Sequence, residues 1–81
     1  MTTTAQLRAG RSILGLSQPE VAKAAGVSTM TVKRAEGSAS PTASADAMAA
    51  IAKALTKAGV IFQDENGEGP GVRLKKNRGK K

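Results

Sequence analysis

The sequence predicts a mainly α fold: four short helices followed by a short C-terminal β-hairpin. Three observations predict it. Apolar residues recur at helical spacing, most clearly at Met48, Ile51, Ala52 and Leu55, which fall at i, i+3, i+4 and i+7. Each helical stretch is followed by a glycine, at 15, 26, 37 and 59, where a chain reversal favours that residue. After Gly59 the pattern changes to β-branched and alternating residues, Val60-Ile61-Phe62-Gln63 and Val72-Arg73-Leu74-Lys75.

The first helix is expected from about Thr4 to Leu14. Leu7, Ile13 and Leu14 form its buried stripe, with Arg8 and Arg11 on the flanks. Gly10 weakens this helix by up to ~1 kcal/mol relative to Ala, so another backbone is expected to pass close to it. The second helix opens on Ser17-Gln18-Pro19-Glu20. In this capping box Ser17 accepts from the amide three residues on, and Glu20 reaches back. Val21, Ala22 and Ala25 give its apolar face. The third follows at once, with Ser28 as N-cap, Thr29 to Glu36 as two turns, and Val32 and Ala35 facing inward.

Residues 17–36 therefore read as helix, tight turn, helix. A pair this short buries its apolar face only with the first and fourth helices packed against it. A small-residue loop over 37–44 leads to Ser44, the expected cap of the fourth helix, with Asp46 favourable to its dipole. The two strands are expected at 60–63 and 72–75, around an eight-residue loop containing Asn66-Gly67. A lone hairpin is not stable, so it must pack on the helices or pair with a second chain. The expected division is 1–59 as the helical domain, 60–75 as the hairpin, and 76–81 as a disordered basic tail.

Eighty-one residues make one domain, with one Phe and no Trp or Tyr to fill its core. So lean a core makes homodimerisation an expected source of stability. Thirteen Lys and Arg against six Asp and Glu give a net charge of +7, which suits a polyanion partner. Six of the basic residues fall in 72–81, and three acids (Asp64, Glu65 and Glu68) cluster just before them.

Without cysteine or histidine the chain lacks the thiolate ligand and the commonest general base. Ser17, Ser28 and Ser44 are accounted for as caps, so no nucleophile–base pair is proposed and no enzyme is expected. No cofactor and no metal are expected. Gly67, Gly69 and Gly71 are not followed by the helix and Lys-Ser/Thr of a phosphate-binding loop. No leader or membrane-length apolar run stands out, so a cytoplasmic location and no membrane partner are expected.

The string Leu14-Gly15-Leu16-Ser17-Gln18, Val21-Ala22, Ala25-Gly26-Val27-Ser28, Val32 and Glu36-Gly37 resembles the lambda-repressor-like (Xre-type) helix-turn-helix family. The likeness covers Gln6 to Leu55, and the C-terminal strand pair is similar to the tail of very short members. It implies a bacterial transcription regulator with the helix at 28–36 in the DNA major groove. Thr29, Met30 and Arg34 then fall where base contacts are made. Gln18, Ser28, Thr31 and Lys33 fall at or beside backbone contacts. Arginine commonly reads guanine edges, and helix N-termini bind phosphate. The chain departs from the family in its small Ala35, in a 38–43 loop without basic residues, and in Thr29 and Met30 as base readers.

Three functions follow in order. The first is a sequence-specific regulator of double-stranded DNA, reading a palindrome as a homodimer. The second is a protein-interaction module, an antitoxin-like or anti-activator subunit reusing the scaffold for a protein partner. The third is a nonspecific DNA binder driven by the tail. Arg8 and Arg11 are weaker candidates for contacts to the DNA backbone.

Overall fold

The computed structural model describes residues 2–63, 67 and 69–75. They form α1 (Thr4–Leu14), α2 (Gln18–Ala25), α3 (Thr29–Ala35), α4 (Ala45–Lys57), β1 (Val60–Gln63) and β2 (Gly71–Leu74). The acidic residues Asp64, Glu65 and Glu68, Asn66 of the expected turn, and the 76–81 tail lie outside the described residues.

Side-chain hydroxyls begin all four helices. Ser17, Ser28 and Ser44 cap α2, α3 and α4, each accepting the amide three residues on. Thr3 does the same for α1, with Gln6 as the reciprocal partner, a capping box that the sequence reading did not name. Gly15 and Gly26 end α1 and α2 in the left-handed region, at φ 72° and 73°.

The core gathers one or two apolar residues from every helix: Leu7, Val21 and Ala22, Val32 and Ala35, then Ile51 and Leu55, with Val60 from β1. α2 packs on both α3 and α4, while the hairpin lies against α1 and α4. The α2–α3 pair is therefore packed on one side against α4, with Leu7 of α1 in the same core, and exposed on the other.

β1 and β2 pair antiparallel, from Val60 opposite Leu74 to Gln63 opposite Gly71. The second strand thus runs over 71–74 rather than 72–75. Beyond that last pair, and in register with the ladder, the Lys75 amide donates to the Gly59 carbonyl at 2.6 Å. Gln6, buried at 3% exposure, fastens the other end of the hairpin. Its Nε2 donates to the carbonyls of Gln63 (2.9 Å) and Gly71 (3.0 Å).

Two expectations for α1 need correction. No backbone presses on Gly10; a Cβ there would lie 3.3 Å from the Phe62 ring and 3.4 Å from a Leu55 methyl. The glycine makes room for side chains of the hairpin and α4. Ile13 is not in the buried stripe and is 44% exposed. It falls in the helical row of Gln6 and Gly10, beyond the contact between Gly10 and Phe62, while Leu7 occupies the core row.

Candidate nucleic-acid interface

The candidate surface is the outward side of α3 with the first turn of α2. In α3, Val32 and Ala35 are fully buried and mark the row that faces the core. Met30 is 45% exposed, and Thr29, Thr31, Lys33 and Arg34 are half-buried. Met30 therefore lies opposite the Val32–Ala35 row with Lys33 and Arg34 to either side of it, and Thr29 and Thr31 fall on the flanks.

Ser28 and Thr31 are engaged with each other. The Ser28 hydroxyl accepts the Thr31 amide at 3.0 Å, and the two hydroxyl oxygens lie 2.8 Å apart. One of the two hydroxyl protons is used in that contact, leaving the other to donate elsewhere. The Nε of Arg34 is shielded and has no hydrogen-bond partner among the described residues.

Gln18 is the first residue of α2, half-buried beside the Ser17 cap. Glu20 in the same turn is exposed, and its Oε1 accepts the Ser17 amide at 2.7 Å. That backbone hydrogen bond, helped by the Ser17 hydroxyl, holds the Glu20 carboxyl below its ordinary value. The Gln18 side chain turns inward, and its Nε2 donates to Glu36 Oε1 at 3.1 Å.

Glu36 is the residue that the sequence reading underestimated. The sequence places it at the end of α3, and in the structure it is a buried carboxylate, 1% exposed. Arg11 meets it with two donors, Nε to Oε2 at 2.7 Å and Nη2 to Oε1 at 3.1 Å. The third Arg11 nitrogen, Nη1, donates to the Leu16 carbonyl at 2.9 Å. Hydrogen bonding to Glu36 raises the Arg11 pKa above its already high value. Arg8 adds a bond from Nη1 to the Glu36 carbonyl at 2.9 Å.

This geometry corrects the expectation for Arg11. Its guanidinium is committed inside the protein and is not a candidate for the DNA backbone. Arg8 remains exposed apart from that bond. The signal for Glu36 was present but faint. It continues the inward row of Val32 and Ala35, and it is one of only three acids in the first 63 residues.

The charge consequence matters for the surface. The acid at the end of α3 is neutralised internally, while Lys33 and Arg34 stay on the outer side, so α3 presents positive charge without an exposed acid. Among the described residues no group of three His, Cys, Asp or Glu is placed to hold a metal ion. No helix there is long and apolar enough to cross a membrane. No family model matches the chain, and no curated protein matches its sequence.

Proposed function

We propose that the protein is a sequence-specific binder of double-stranded DNA that regulates transcription as a homodimer. The observation that carries this reading is the outward side of α3. It is held up by a second short helix, buried only through Val32 and Ala35, and carries Lys33 and Arg34 with the neighbouring acid paired internally. A single helix of this length reads only a few base pairs, so two copies about one helical turn apart would read a two-fold symmetric site. Arg34 supplies the strongest base-reading chemistry, with Thr29 and Met30 as apolar or weakly polar contacts. Gln18, Ser28, Thr31 and Lys33 serve the phosphates. Bacterial origin and cytoplasmic action belong to the same reading.

A selection from random duplex DNA at near-physiological salt tests it. The expected result is an enriched palindrome with half-sites one turn apart. Arg34→Ala should then cost about 1–3 kcal/mol and relax preference at one base position. An equal loss on every duplex would remove Arg34 from direct readout.

Exposed Met30 supports a second reading, a module for a protein partner. So does an open apolar depression of about 540 Å³ on α4, lined by Thr2, Ala45, Asp46, Met48, Ala49 and Ala52. A folded chain that enriches no duplex yet captures one partner in fixed stoichiometry would favour it.

A further inference from the structure

We propose that Glu36 is a positioning residue for duplex binding: its buried carboxylate sets the Gln18 side chain against α3. The inference rests on the DNA-binding reading above and deepens it. Neither Glu36 nor Arg11 faces the candidate surface, so any effect of theirs on binding runs through the groups they hold.

The carboxylate is almost wholly buried and accepts from three directions. Two Arg11 nitrogens fix its plane from α1, and Gln18 Nε2 reaches it from α2. Glu36 itself is the residue that closes α3. Arg11 also grips the Leu16 carbonyl in the turn between α1 and α2. One ion pair therefore ties the end of α3 to both the entry and the first residue of α2.

The effect on Gln18 is specific. A glutamine at a helix start ordinarily samples several rotamers, and binding a phosphate would require selecting one of them at an entropic cost. Here one N–H of the Gln18 amide is spent on Glu36. That leaves its second N–H in a direction fixed relative to α3. The side chain is thus ordered before any duplex arrives, and its contribution to binding depends on Glu36 remaining its acceptor.

The experiment is a double-mutant cycle on the whole chain with the selected duplex. Gln18→Met keeps the length of the side chain and removes the donor. It is measured in the native background and in an Arg11→Met/Glu36→Met background. Removing both charges together avoids a stranded buried ion, and thermal melting establishes that each variant is folded. In the native background Gln18→Met should weaken binding roughly fivefold, the scale of one hydrogen bond. In the paired background it should change binding by less than about twofold.

A second readout covers the case in which the paired variant fails to fold. In the free native protein the Gln18 side-chain amide proton bonded to Glu36 should be shifted from the ordinary glutamine position and exchange more slowly with water. Only the proton not bonded to Glu36 should move markedly when duplex is added. Equal losses in both backgrounds, or Gln18 side-chain amide protons at the ordinary positions of a free glutamine in the protein without duplex, would overturn the positioning role and leave DNA binding standing. A native chain that binds no duplex would remove both.

Discussion

Gly37 shows how one residue joins a turn to a packing contact. It lies at φ +84°, and a Cβ there would sit 3.0 Å from the Thr4 methyl and 3.9 Å from an Arg8 nitrogen. A side chain would meet both backbone strain and a clash with α1. Gly37→Ala should cost about 1–3 kcal/mol, read as a lower melting temperature. Adding Thr4→Ser, which removes the methyl, should recover only the steric part. A melting temperature unchanged by Gly37→Ala would refute the account.

Glu20 makes a prediction with a definite sign. Its pKa is lowered in the folded chain, mainly by the Ser17 amide, from an ordinary value of 4.5. Its contribution is therefore fully present above that value and is lost as pH falls through the lower folded value. Glu20→Gln keeps an acceptor for the Ser17 amide and removes the titration. The variant should show a flatter loss of melting temperature below about pH 4.5 than the native chain. Identical acid profiles would show that the carboxylate does not contribute.

At this scale the caps were legible because a cap is local: Ser17, Ser28 and Ser44 each bond an amide three residues away. Gln6 and Glu36 were not. Their partners are 57 and 65 residues away for Gln6, and 25 residues away for the Arg11–Glu36 pair. No periodicity reports such pairs.

Among elements, the Arg11–Glu36 pair is the main polar link between α1 and α3. The Glu36 side chain is 1% exposed, against 22% for Arg11, so the penalty for breaking the pair falls on the carboxylate. Arg11→Met alone should cost about 3–5 kcal/mol, because it leaves an unpaired charge in the interior. That is a large share of the ~5–15 kcal/mol that holds a domain together, so the single variant should be largely unfolded at moderate temperature. Arg11→Met with Glu36→Met should regain most of the loss. Circular dichroism melts of the native chain and both variants would show it. A single variant as stable as the native chain would mean that the carboxylate finds water or another donor.

The helix boundaries came through from sequence nearly unchanged, since caps and glycines act within one turn. The hairpin was placed one residue late in its second strand. Alternation assigns faces but not ends, and the last pair, Gln63 with Gly71, is secured from outside by Gln6. Ile13 was misplaced for a related reason. Its helical row fits burial against something, but the hairpin contact made by that row is at Gly10. In α3, sequence periodicity put Val32 and Ala35 inside, and it missed the internal acid beside them, Glu36.

For the molecule as a whole, charge is divided between residues 1–75 and a short basic segment at 76–81. Residues 76–81 carry four of the thirteen basic residues, and removing them leaves nine against six acids. Each phosphate neutralised by a cation contributes about −0.9 to the slope of log affinity against log salt. If the tail contacts DNA, deleting 76–81 should therefore make that slope shallower by up to about 3.6 and weaken all duplexes by a similar factor. The selected palindrome should stay the preferred sequence, because Arg34, Thr29 and Met30 remain on α3. Binding titrations of the full and shortened chains at several salt concentrations separate these effects. A parallel slope would make the tail a bystander to binding. Loss of sequence preference along with the tail would place discrimination outside α3, and would favour a nonspecific polycation over a reader of base edges.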